Sequence, residues 1–121
     1  MNAVKAPVNR RGRPPELVPA DVAQRVLDWL SAGRPLSTFC NVAGNPARRT
    51  VHYWREKDPD FRRAFDIARD NGFIRLGEEM LEIVDEPPVD GRVTPGWVAT
   101  KRLRVNARKW LMTRWFAKRH A

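Results

Sequence analysis

The chain has 121 residues and a single cysteine, Cys40, so no internal disulfide can form. One lone thiol fits a reducing cytoplasm. Cys40 lies four residues before Gly44 and reads as a small buried apolar side chain. A nucleophile would need a base beside it, and only His52 and His120 could supply one. No apolar run approaches the roughly 18 residues of a membrane span, and the first residues lack the apolar core of a secretory signal. No Gly-rich loop leads into Lys-Ser or Lys-Thr, which excludes a P-loop ATPase. No His, Cys and carboxylate set has metal-ligand spacing, and no Ser/His/Asp or Cys/His set appears, so neither a metal, a cofactor nor an enzyme is expected. Acids are missing from both ends.

What is present is cationic and aromatic. The net charge is +9, and apolar residues make up 42%, with five tryptophans and five phenylalanines that need burial. Residues 1–15 carry Lys5, Arg10, Arg11 and Arg13, for +4; residues 16–58 are nearly balanced at +1. Residues 59–90 carry −5, and residues 91–121 carry nine bases and no acid. Basic ends around an acidic middle suit polyanion binding by the ends and pairing of the middle with the C-terminal segment.

Residues 36–57 read as a helix-turn-helix. Leu36 to Ala43 has the pattern of a short helix, stopped at Gly44. Asn45 suits the cap of the next helix and Pro46 its first turn. In that helix Ala47, Val51 and Trp54 share one face at i, i+4 and i+7. Arg48, Arg49, His52 and Arg55 are expected on the other, as donors long enough to reach base edges and phosphates. Thr50, Tyr53 and Lys57 complete the expected DNA-binding set, and Trp54 is assigned to packing. A preceding helix, Ala20 to Ala32, has Val22, Val26, Leu27 and Leu30 as its stripe and stops at Gly33. Residues 18–57 thus form a DNA-binding domain.

Residues 1–17 read as a flexible basic arm, because Pro7, Pro14 and Pro15 oppose regular structure and little there needs burial. Arg11-Gly12-Arg13-Pro14 resembles the core of an AT-hook, which makes Arg10, Arg11 and Arg13 candidate minor-groove or phosphate contacts.

Residues 58–118 read as a helical hairpin for oligomerisation. Asp58-Pro59-Asp60 opens a helix running to about Glu86, about 42 Å long at 1.5 Å per residue. Phe61, Phe65, Ala68, Gly72, Leu76, Met80 and Ile83 form one apolar stripe; Ile67, Ile74 and Leu81 form a second. One stripe can pack within the chain, and the other needs a second subunit. Gly72 and Gly77 permit a neighbour to come close. Residues 87–96 connect to a second helix, Trp97 to about Lys118, which carries Leu103, Trp110, Leu111 and Trp115. Folded back antiparallel, its basic first half would face Glu78, Glu79, Glu82 and Asp85. Residues 119–121 form a short basic tail. The fold class expected is all-α, a helix-turn-helix domain followed by a long antiparallel hairpin. The oligomer contacts expected are Phe61, Phe65, Ile67, Ile74, Leu76, Met80, Leu81, Leu103, Trp110, Leu111 and Trp115.

The order of parts resembles the small subunit of tailed-bacteriophage terminases. The resemblance is carried by the Gly-Arg-Pro arm, Arg48-Arg49-Thr50-Val51-His52-Tyr53-Trp54, Asp60-Phe61-Arg62, Glu79-Met80-Leu81-Glu82-Ile83-Val84-Asp85 and, most specifically, Arg102-Leu103-Arg104-Val105-Asn106-Ala107-Arg108-Lys109-Trp110-Leu111. It implies a non-catalytic subunit in the host bacterial cytoplasm that binds double-stranded viral DNA at the packaging site. It also implies a homo-oligomeric ring, commonly of about eight to ten subunits, that recruits and regulates the large terminase subunit with its ATPase and nuclease. Many members continue into a C-terminal β-strand crown, whereas this sequence ends at Ala121. The alternative is a helix-turn-helix transcription regulator or a recombinase accessory protein, dimeric through the hairpin.

Overall fold

The computed structural model describes residues 18–119. They form five α-helices and no strand: α1 (Ala20–Ser31), α2 (Leu36–Cys40), α3 (Arg48–Lys57), α4 (Pro59–Asp85) and α5 (Pro95–Arg119). One 3₁₀ turn, Val89–Gly91, lies between α4 and α5. The expected all-α class is what is found. The arm with Arg10, Arg11 and Arg13, and the tail beyond Arg119, lie outside the described residues.

Local chemistry accounts for the helix ends. α1 stops as Gly33 turns to φ +84°, its N–H donating to the Leu30 carbonyl at 2.9 Å. α2 is shorter than expected and ends at Cys40, three residues before Ala43. Asn45 explains the early stop. Its Nδ2 donates to the Phe39 carbonyl at 2.8 Å, and its Oδ1 accepts from Arg25 at 2.7 Å. The amide therefore closes the end of α2 and ties it to α1, instead of capping α3. Ala47 precedes α3, which has no side-chain cap. α4 is capped as expected: the Asp58 carboxylate accepts from the N–H groups of Asp60 and Phe61, both at 3.1 Å, with Pro59 in the first turn. α5 starts two residues earlier than expected, because Thr94 Oγ1 accepts from the Trp97 N–H at 3.1 Å and Pro95 needs no partner.

The main stripe of α4 is the spine of the core. Phe61, Phe65, Ala68, Gly72, Leu76 and Ile83 are buried, and Met80 is half-buried. Phe61, Phe65, Ala68 and Leu76 join a cluster with Val26 and Leu30 of α1, Leu36 and Phe39 of α2, Val51 of α3 and Trp115 of α5. Head and hairpin thus draw on one apolar core.

The hairpin is antiparallel. Going up α5, Arg104 meets Glu86 at 2.7 Å, Arg108 meets Glu79 at 2.9 Å and Arg119 meets Asp70 at 3.1 Å. Lys101 donates to the Val84 and Glu86 carbonyls at the end of α4, each at 2.9 Å. The expected pairing of α5 with Glu78 and Glu82 is not found. Both turn to Arg75 of their own helix at 3.4 Å. A partner one or two turns away on the same helix needs no chain reversal to reach it. These exposed pairs orient the hairpin and contribute little stability each, on the order of 0–1 kcal/mol.

Burial corrects the oligomer contacts read from sequence. Phe61, Phe65, Leu76 and Trp115 are spent inside the protomer and cannot meet a neighbour. Leu111 packs against the same core, half-buried. Ile67, Ile74 and Leu81 on α4 stay 54%, 59% and 67% exposed, and Leu103 and Trp110 on α5 stay 70% and 61% exposed.

Candidate nucleic-acid interface

α3 is seated on the core by two side chains. Val51 is fully buried, and the Trp54 ring meets Phe61 edge-on with centroids 6.4 Å apart. Ala47, expected as the third member of that face, is exposed because it stands just outside the helix and does not follow its period.

The outer face carries Arg49, Tyr53 and Lys57, each four residues from the next and each exposed, with Glu56 beside them; Arg48 is exposed too, but lies on the His52 and Arg55 side of the helix. The Lys57 ammonium lies 5.9 Å from the Tyr53 ring centroid, a loose cation–π contact that leaves its donors free. A fork of guanidinium donors, a phenol and an ammonium along two turns are groups from which base edges and phosphates can accept hydrogen bonds.

The remaining candidates on α3 turn inward. Thr50 is half-buried. Arg55 donates to Asp66 of α4 at 2.9 Å, with its guanidinium 5.4 Å from the Phe65 centroid. His52 stands 6.4 Å from the same ring. Both were expected on the open face with Arg49. At 100° per residue, positions 52 and 55 fall between the outer face and the Val51 face, and α4 lies there.

Two arginines outside α3 hold it in place, and sequence reasoning assigned neither. Arg62 Nε donates to the Arg55 carbonyl at 3.2 Å and its Nη2 to the Glu56 carbonyl at 3.0 Å. Those carbonyls are the unpaired acceptors at the end of α3. Arg25 holds Asn45, and through it the turn before α3. The available signal for Arg62 was its place one turn into the next helix, directly after a tight Asp58 junction.

The neighbourhood of His52 is cationic. Burial pushes its pKa below the ordinary range, and Arg48, Arg69, Lys118 and Arg55 push it further the same way. The unfolded chain therefore binds a proton more readily than the fold does. The stability linked to His52 is complete above its unfolded value of about 6.5 and falls as pH drops from there through the folded value. His52→Gln is expected to flatten this loss in melting curves recorded between about pH 5 and 7. Equal acid sensitivity in the variant would count against His52 as its source. Burial also raises the pKa of the Cys40 thiol, with Arg48 opposing, which fits a packing role for that side chain.

Among the described residues no helix is long and apolar enough to cross a membrane. The family model described as "Bacteriophage Sf6, terminase small subunit-like" matches residues 18–121. Among solved structures the chain is similar to three crystal structures of the terminase small subunit gp1 of the bacterial virus Sf6, each carrying one substitution. They are an aspartate-to-arginine, an arginine-to-alanine and a lysine-to-glutamate variant, with TM-scores of 0.62, 0.63 and 0.63. Each is 32% identical, with 86% of this chain and 77% of that chain covered. Among curated proteins nothing matches.

Proposed function

The chain belongs to the family of terminase small subunits similar to that of bacteriophage Sf6, and we propose that it is the non-catalytic DNA-recognition subunit of a viral packaging motor. In this reading α3 reads the packaging site on double-stranded DNA, and the assembled subunits recruit and regulate the large terminase subunit. The observation that carries it is the open Arg49–Tyr53–Lys57 face on a helix braced from behind by Val51 and Trp54. Arg48, exposed on the His52 side of α3, borders that face, and Arg10, Arg11 and Arg13 of the arm are further DNA contacts.

The hairpin builds the oligomer. Ile67, Ile74 and Leu81 recur every seven residues on α4, and Leu103 and Trp110 do so on α5, all exposed. Two unlike apolar faces on one protomer suit a head-to-tail contact, which closes into a ring when the rotation allows. A ring of roughly eight to ten such heads gains avidity that one short helix lacks.

Replacing both Arg48 and Arg49 by alanine is expected to weaken DNA binding and to lower the slope of log affinity against log salt by about 1 to 2. Affinity and slope equal to those of the unaltered protein would remove α3 from the proposed role.

A further inference from the structure

The junction of α3, α4 and α5 with the start of α2 holds a pocket of about 210 Å³ lined by Arg48, Arg69, Arg114 and Lys118, with Leu36 and Trp115 among its walls. We propose that this pocket is a phosphate site, and that the phosphate it takes is one of the DNA backbone beside α3. The proposal rests on the DNA-binding reading above and adds residues of the hairpin to it.

Among the described residues none of the four cations there holds a carboxylate, and Arg114 has only the Trp110 ring, 4.9 Å from its guanidinium. Elsewhere on the hairpin, Arg75, Arg104, Arg108 and Arg119 each hold a carboxylate. Arg69 holds none among the described residues, and its buried Nε has no hydrogen-bond partner. Its guanidinium lies 4.9 Å from the Phe65 centroid and 5.8 Å from that of Trp115, so two aromatic rings fix its direction. The nearby carboxylate, Asp66, is taken by Arg55 at 2.9 Å. The result is mutual repulsion. Burial, then Arg69, Arg48, Arg114 and Arg55, lower the Lys118 pKa, and burial, then Arg55, lower that of Arg69, with Asp66 opposing and Arg48 adding a smaller push downward. Like charges gathered at a half-buried site destabilise the protein alone, and an anion relieves them.

Position selects the anion. Arg48 lines the pocket and is followed directly by Arg49 of the open face. α3 thus borders both the open face and the pocket, and in this proposal the backbone of DNA held on that face supplies the phosphate. Guanidinium forks and an ammonium converging on one space are the donors that phosphate oxygens accept from.

The test uses the full chain with Lys118→Gln and Arg114→Gln combined; both residues are exposed, and Lys118→Gln alone replaces the pair if the double variant does not fold. The first arm is the salt dependence of binding to a mixed-sequence DNA duplex. A slope lower by about 1, with affinity lost alike for every sequence, is expected for a lost phosphate contact. The second arm compares inorganic phosphate with chloride at equal ionic strength. Phosphate should raise the Tm of the unaltered protein and the pKa of His52 read by NMR, and should do neither in the variant. Loss of the phosphate effect with an unchanged DNA slope assigns the pocket to free phosphate. An unchanged slope together with an undiminished phosphate effect overturns the proposal. Arg49→Ala, outside the pocket, separates the two readings. If it weakens DNA binding and the pocket variant does not, only the pocket fails. If neither does, the DNA-binding role of α3 fails.

Discussion

Trp115→Ala is expected to destabilise the protein by about 3–5 kcal/mol, the range for deleting a large buried aromatic. Trp115 is the one residue of α5 that is fully within the core, at 5% exposure, and it packs over Gly72 where α4 meets α1. Its loss opens a cavity shared by three helices and releases the C-terminal half of α5 from the head. A fall in Tm of more than about 10 °C, at fixed protein concentration, is the readout. A change of a few degrees would show that the head and hairpin do not depend on this contact. Gly72→Ala probes the same place from the other side. A Cβ there would strike the Leu30 carbonyl oxygen and come within 2.7 Å of the Trp115 ring. The gain in helix propensity, about 1 kcal/mol, is outweighed because a backbone oxygen cannot swing aside. Gly77→Ala is the control: its Cβ meets only Met112 Cε at 3.6 Å, so the propensity gain should survive.

Ile74→Glu is expected to abolish assembly while leaving the protomer folded. Ile74 is 59% exposed in the protomer, so a carboxylate there is solvated until subunits meet. At an apolar contact the same carboxylate is desolvated without a partner, a penalty of several kcal/mol repeated at every interface of a ring. Light scattering after size exclusion, at moderate salt, should find a discrete species of roughly eight or more subunits for the unaltered protein. The variant should run as a monomer with unchanged helical content. Equal mass for the two would remove the α4 outer face from the interface. A monomer or dimer of the unaltered protein at all concentrations would favour the regulator reading over the ring.

Periodicity alone identified both faces of α4. The spacing of Phe61, Phe65, Ala68, Gly72, Leu76 and Ile83 selects one side of a helix and that of Ile67, Ile74 and Leu81 the opposite side, and the two differ in burial as spaced. The Asp58 cap, the Gly33 stop and the antiparallel return of α5 were legible for a similar reason: each depends on residues close in sequence or on a long, repeated pattern. Family membership was legible because the Arg-Leu-Arg-Val-Asn-Ala-Arg-Lys-Trp-Leu string is long.

Tertiary structure decided which donors on α3 remain free. His52 and Arg55 have the same sequence character as Arg49, yet α4 covers them and leaves Arg49, Tyr53 and Lys57 open. It decided that Asn45 serves α2 rather than α3, since its choice of partner depends on where Arg25 and the Phe39 carbonyl lie. It also brought Arg48, Arg69, Arg114 and Lys118 to one pocket from three helices. Helical period states which side of its own helix a residue occupies. Whether another helix, a carboxylate or solvent lies on that side is a property of the packing, and for a cation that difference separates a structural brace from a ligand contact.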